Sequence, residues 1–214
     1  MPDSALNEIL IARLESGDDH AFADLFAVYR ARLKQMLEFR MDRRLRQRED
    51  PSDILQEVYI DAHQRMCHYL KKPELSFYVW LRQLTTQRLI DIHRRHLMAE
   101  KRDVRQEVSI SRRSAGTSAS IARQLVARLA SPSQLAMQVE LVAQIEDSLE
   151  SLDPIDREVL ALRHFEELRN SEVAEVLGLK EAAASNRYVR ALSRLRDILD
   201  DTAGFSDDRK LDHP

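Results

Sequence analysis

Arg187, Arg190, Arg194 and Arg196 follow one another with no acidic residue between them, and Ser185 and Asn186 stand just ahead. Guanidinium groups at this density suit phosphate oxygens, and arginine, amide and hydroxyl groups on a helix also read base edges. The apolar residues around them place that chemistry on a helix. Ala184, Tyr188, Ala191, Leu195 and Ile198 recur at three- and four-residue steps and face inward, which leaves the polar set to solvent or a duplex. Upstream, Val173, Ala174 and Leu177 share one face of a short helix beginning at Ser171. Gly178 supplies the left-handed residue of a tight turn, and Leu179 packs behind it. Together these form a helix-turn-helix whose second helix suits a major groove. The plainer alternative is a helical hairpin with a solvated basic face. Ala174, small enough for two helices to cross closely, and the arginine-rich second helix favour DNA.

A second polar set lies in the first half. Asp50, Pro51 and Asp53 give an N-cap, a first-turn proline and a first-turn acid in order, so a helix starts there. Leu55, Val58, Tyr59, Ala62 and Met66 form its inner face, and Asp53, Gln56, Glu57, Ile60 and Gln64 its outer one. An isoleucine among acids and amides is either a harmless exposed residue or part of a protein-binding face. After a break at KKPEL, residues 76–98 form a further helix with Phe77, Trp80, Leu81, Leu84, Leu89 and Ile92 inside. Gln83, Gln87, Ile90 and Arg94 line its far side, and His93, Arg95 and His96 extend the polar end, offering donors for bases and phosphates. Tyr69, Lys71 and Lys72 mix a ring with positive charge, a combination that fits stacking of unpaired bases. For Tyr69, Phe77 and Trp80 the competing role is core packing, and for Trp80 it is the preferred one.

Other chemistries find little footing. His93 with His96, and His63 with Cys67, have helical spacing for a metal, but neither pair has an evident third ligand, so no metal and no cofactor is expected. No glycine-rich phosphate loop, nucleophile elbow or carboxylate pair in a recognisable context occurs, so the chain does not read as an enzyme. One cysteine excludes an intrachain disulfide, and no apolar run reaches the ~18 residues of a membrane span or follows a basic leader start. A cytoplasmic protein without a membrane partner is expected.

The elements that must position these groups are helical throughout. Only four glycines occur in 214 residues, and two of them, Gly17 and Gly178, sit at helix ends; β-type alternation is hard to find. Leu6, Ile9, Leu10 and Leu14 give a first short helix. Asp18 or Asp19 caps a longer one striped by Phe22, Leu25, Phe26, Tyr29, Leu33 and Leu37. The net charge of -3 argues weakly against nucleic acid, but eight basic residues face two acidic ones between Arg30 and Arg48. Much of the negative charge gathers between Glu146 and Glu175 and beyond Asp200. Residues 101–131, with SISRRSAGTSAS, read as a flexible linker holding at most a short helix at 121–129. Ser131 and Pro132 then open a helix with Leu135, Val139, Val142, Ile145, Leu149 and Leu152 as its stripe.

Several of these segments resemble one family in the right order. GDDHAFADLFAVYRARL and DPSDILQEVYIDAHQRM resemble the start and the polymerase-binding helix of region 2 in sigma-70 factors. FYVWLRQLTTQRLIDIHRRH is similar to the adjoining -10 segment, and LDPIDREVLALRHFEELRNSEVAEVLGL to region 4. Response-regulator output domains share the last pattern, but not the first three. The two-domain layout is that of the extracytoplasmic-function type. The resemblance implies an all-α fold of two small helical domains, region 2 at 1–100 and region 4 at 132–200, joined by the linker 101–131 and followed by an acidic tail at 201–214. It implies a sigma factor that joins core RNA polymerase and directs initiation at promoters with -10 and -35 elements. The alternative is a helix-turn-helix regulator that binds DNA without polymerase. Asp53, Gln56, Glu57 and Ile60 are then the face for the clamp coiled coil of the largest polymerase subunit. Tyr69, Lys71, Lys72, Gln83, Gln87, Asp91, Arg94 and Arg95 face the -10 element, with Gln87 where the family often has Asn. Ala183, Ser185, Asn186, Arg187 and Arg190 face the -35 element; Ala184 and Ser185 stand where the family usually has a larger apolar residue and a lysine. An anti-sigma partner is also admitted.

Overall fold

Asp50 does what its place before Pro51 dictates: its carboxylate accepts the Ser52 N–H at 2.6 Å and starts a 21-residue helix, and that bond holds the carboxyl below its ordinary range. The same logic recurs along the chain. Asp18 accepts the His20 N–H ahead of one helix, and Asp153, followed by Pro154, accepts the Ile155 N–H ahead of another. The computed structural model describes residues 2–18, 20–100, 111–129 and 135–208; all regular structure among them is helical. In order these helices are α1 (Pro2–Glu15), α2 (His20–Arg40), α3 (Arg43–Arg46), α4 (Pro51–Lys71), α5 (Phe77–Glu100), α6 (Ser111–Leu129), α7 (Leu135–Glu150), α8 (Pro154–Leu160), α9 (Asn170–Leu177) and α10 (Glu181–Asp208). None of them is long and apolar enough to cross a membrane. The chain divides into two units, Met1–Gln106 and Glu107–Pro214.

The first unit is built around α2, which packs against α1, α4 and α5. Its expected stripe of Phe22, Leu25, Phe26, Tyr29, Leu33 and Leu37 is buried, joined by Met36, Phe39 and Met41. Phe22 and Phe26 meet Tyr59 of α4 at ring separations of 4.9 and 5.1 Å. Ile54, Leu55, Val58, Ala62 and Met66 fill the α4 side, and Leu81, Leu84, Leu89 and Ile92 the α5 side. Among the described side chains of α1, Leu10 alone is buried; Leu6 and Ile9 are exposed, so the stripe read there is narrower than expected.

The second unit differs most from the sequence reading in one element. The stretch expected as a flexible linker contains α6, 19 residues long, packed chiefly against α7 and also against α8. Ile121, Ala122, Leu125 and Val126 are buried, with Thr117, Ser118 and Ser120 among them. Small hydroxyl residues let two helices approach closely, and their polar atoms find partners: the Ser118 hydroxyl accepts from Arg157 at 2.9 Å. Residues 101–110 and 130–131 of the expected linker, and the helix start expected at Ser131 and Pro132, lie outside the described residues. Among the described side chains of α7, Val139 is exposed, and the buried stripe consists of Ile145 and Leu149, continued by Leu152. A π-helical turn, Ala161–Phe165, follows α8 and buries Ala161, Leu162 and Phe165. The final helix runs on to Asp208, past the point where an acidic tail was expected to begin.

Candidate nucleic-acid interface

The helix-turn-helix is formed by α9, Gly178 and α10. The first of these helices begins one residue ahead of Ser171. Its N-cap is Arg169, whose N–H donates to the Glu172 carboxylate at 2.8 Å. Gly178 closes it with φ of 64°, the left-handed region in which a side chain is strained, and the Leu179 N–H returns to the Ala174 carbonyl at 2.9 Å. Asn170 donates to the Glu181 carbonyl at 2.9 Å and so ties the start of α9 to the start of α10. Val173 and Ala174 of α9 and Ala184, Ala191 and Leu195 of α10 are buried, and α10 packs on α7 and α8 as well as on α9. On the outside, Ser185, Asn186 and Arg190 are exposed and Ala183 is half-buried.

Arg187 is placed differently from its neighbours. Its Nη1 donates to Asp156 Oδ1 of α8 at 2.7 Å and lies 3.6 Å from Asp153 Oδ1, and its side chain is 27 % exposed. Arg190, 63 % exposed, approaches the same Asp156 oxygen at 3.7 Å. Val189 was not singled out by sequence. It is exposed beside Asn186 and Arg190, and these residues line a shallow hollow with Ala183 and Arg187. An exposed β-branched residue amid polar readers suits a thymine methyl, and its position three residues after Asn186 was the signal available. Arg163 of the π-helical turn donates to the Leu168 carbonyl at 2.8 Å and sits over the Tyr188 ring, bracing α10 from behind.

In the first unit, Asp53, Gln56, Glu57 and Ile60 all lie exposed on α4. Glu57 pairs with Arg88 of α5, so this acid is partly neutralised within the chain. Along α5, Gln83, Gln87, Arg94 and Arg95 are exposed, Asp91 is half-buried, and Gln87 donates to Asp91 at 3.1 Å. His96 meets Glu49 at 2.9 Å and anchors the end of this polar row to the loop before α4. Burial holds the His93 imidazole below its ordinary pKa; Asp42 opposes that shift and His96 reinforces it.

Tyr69 does not lie with these groups. Its ring is buried, stacked on Trp80 at 4.5 Å, and its hydroxyl donates to the Leu75 carbonyl at 2.9 Å. With the ring 8 % exposed and stacked on Trp80, the expectation of a base-stacking Tyr69 is corrected. Lys71 and Lys72 are exposed, with Lys72 bound to Glu74 at 2.5 Å; the pairing raises the lysine pKa and lowers that of the acid. Among the described residues no group of three or more His, Cys, Asp or Glu is arranged to hold a metal.

Comparison with known proteins gives these surfaces a family. The model of sigma-70 region 4 matches residues 143–195, which span the helix-turn-helix. The ECF RNA polymerase sigma factor SigW of Bacillus subtilis is 27 % identical over 192 residues, covering 89 % of this chain and 95 % of SigW. The chain belongs to the sigma-70 family, to its extracytoplasmic-function type. The probable RNA polymerase sigma factor RfaY of Xanthomonas campestris pv. campestris is 33 % identical over 148 residues. That match takes in 69 % of this sigma-70 chain, which spans about a third of the length of RfaY. Among solved structures, that of CnrH in complex with the cytosolic domain of CnrY covers 91 % of this chain and 97 % of its own, with 25 % identity and a TM-score of 0.50.

Proposed function

We propose that the chain is a promoter-selecting subunit of RNA polymerase. The observation that carries this reading is the presence, in one sigma-70 chain, of a region 4 helix-turn-helix with exposed polar residues on α10 and a separate helical unit with an exposed polar face on α4. Asp53, Gln56, Glu57 and Ile60 dock on the clamp coiled coil of the largest polymerase subunit, an apolar side chain ringed by groups that tolerate water, as a transient interface requires. Gln83, Gln87, Asp91, Arg94 and Arg95 face the -10 element, with Lys71 and Lys72 supplying positive charge nearby in sequence. Ser185, Asn186, Val189 and Arg190 read the -35 element as duplex, with Arg187 and Ala183 against it. The domain assignment follows: region 2 ends near residue 100, and region 4 takes in residues 132–200. Catalysis belongs to the polymerase that this subunit guides.

The work is cytoplasmic, and the chain accepts an anti-sigma partner of the kind suggested by CnrH, which is held in complex with the cytosolic domain of CnrY. The test is co-elution. Purified chain mixed with core polymerase is expected to run with it on gel filtration, and the mixture to shift promoter fragments that the chain alone shifts weakly. A chain that shifts duplex DNA tightly by itself and never co-elutes would be a stand-alone regulator.

A further inference from the structure

Asp156 is a buried acid on the DNA-facing side of the second unit, where negative charge opposes a phosphate backbone. Its side chain is 7 % exposed, and its Oδ1 takes Arg187 Nη1 at 2.7 Å with Arg190 Nη2 at 3.7 Å. The helix that carries it is fixed from beneath. Arg157, the next residue, is buried and donates through Nη1 to Ser118 of α6 at 2.9 Å and to Glu150 of α7 at 2.6 Å. An unbroken chain of contacts thus runs from α6 and α7 through α8 to the guanidinium of Arg187. A guanidinium is planar and presents its five donors in a fixed fork. With Nη1 held by Asp156 and Asp153, the plane is set and the Nε and Nη2 edge is left for another acceptor. A free arginine must give up its rotamer freedom when it binds, whereas a clamped one has done so on folding.

We propose that Asp156 is a positioning residue for -35 reading: it orients Arg187, and through it the choice of one base pair, at a small cost in attraction to the DNA backbone. The proposal rests on the function proposed above and adds a residue to it. It assigns Arg187 a held geometry, Arg190 a looser one, and Asp156 no contact with DNA.

The two roles of a carboxylate here have opposite signs, which makes the idea testable. Holoenzyme formed with the full chain would transcribe a promoter library whose upstream element is randomised, and enriched sequences would be compared for wild type, Arg187→Ala, Asp156→Asn and the double variant. Asp156→Asn is expected to lose about ten-fold in discrimination at one base pair, the same one affected by Arg187→Ala. Its affinity for unrelated duplex stays equal or rises, because a negative charge has gone. The double variant is no worse than Arg187→Ala alone. A uniform loss over all sequences, a loss at a different base pair, or an additive double variant would overturn the proposal. If thermal unfolding shows that Asp156→Asn fails to fold, Asp156→Glu, which keeps the charge and displaces it by one methylene, must alter preference at that base pair alone; an unchanged profile would overturn it equally. A wild-type holoenzyme that transcribes without enriching any upstream motif would remove the proposed function, and this inference with it. The two failures are therefore told apart.

Discussion

Each unit holds an acid–arginine pair on the surface assigned to a macromolecular partner, and the two pairs are built to different ends. Glu57 and Arg88 join α4 to α5 with side chains 48 % and 37 % exposed. Asp156 and Arg187 join α8 to α10 with the acid 7 % exposed. Water competes for the first pair, so its net worth is near the ~0–1 kcal/mol of surface ion pairs, and Glu57 can exchange Arg88 for a partner's cation at little cost. Removing the partner of a buried charge leaves that charge unsatisfied, so the second pair persists when DNA arrives. One surface offers its charges to a partner, and the other keeps a charge for itself to hold a reader still.

That contrast depends first on the scaffold below Asp156, and the largest effect is expected there. Deleting residues 111–129 removes the helix that buries Ile121, Ala122, Leu125 and Val126 and holds Arg157, so the second unit is expected to lose cooperative unfolding. Ile121→Ala alone should cost about 2–5 kcal/mol. Chemical denaturation followed by circular dichroism checks both, and a deleted chain of unchanged stability would make 111–129 the simple tether its composition suggested. Next comes docking. Asp53→Lys with Glu57→Lys should abolish co-elution with core polymerase while helical content stays the same, because both side chains are exposed. Retained wild-type binding would remove α4 from the interface.

A smaller effect separates the two pairs directly. Arg187→Ala should weaken binding to the enriched duplex by about 1–3 kcal/mol, with relaxed preference at one position, and should also lower the thermal midpoint of the second unit, because it strands Asp156. Arg88→Ala should change the stability of the first unit by less than about 1 kcal/mol and leave duplex preference alone. Smallest is a pH effect. His93 is depressed by burial in the folded state, so the unfolded chain takes up its proton first as pH falls. The stability of the first unit should decline below the ordinary histidine range of about 6.5, and His93→Gln should flatten that decline in a series of thermal melts.

Much of this architecture was legible in the residues because local chemistry dictated it. Asp50 before Pro51 can hardly do other than start a helix, Gly178 takes the one conformation its neighbours cannot, and the stripes on α2, α4, α5 and α10 are long enough for their period to be read. The α6 helix was not legible. Its composition of serine, arginine and alanine is that of a linker, and its buried face is short and partly made of Thr117, Ser118 and Ser120, which are equally at home in solvent. The π-helical turn has no sequence signature. The pattern along α10 puts Arg187 on the polar face, yet its tie to an acid 31 residues earlier depends on how α8 packs, which periodicity along α10 does not contain. Tyr69 failed for the converse reason: a ring beside lysines looks the same whether it meets a base or Trp80.

The proposed power of the chain to direct polymerase is measured most directly by run-off transcription. Core enzyme, this chain and sheared genomic fragments are combined, and discrete transcripts are mapped. Transcripts are expected that appear only when the chain is present, start at a small set of sites, share an upstream and a downstream element, and disappear with Asp53→Lys and Glu57→Lys. Transcripts identical with and without the chain, from a mixture in which the chain is folded and core enzyme is active on a tailed template, would contradict the proposed function.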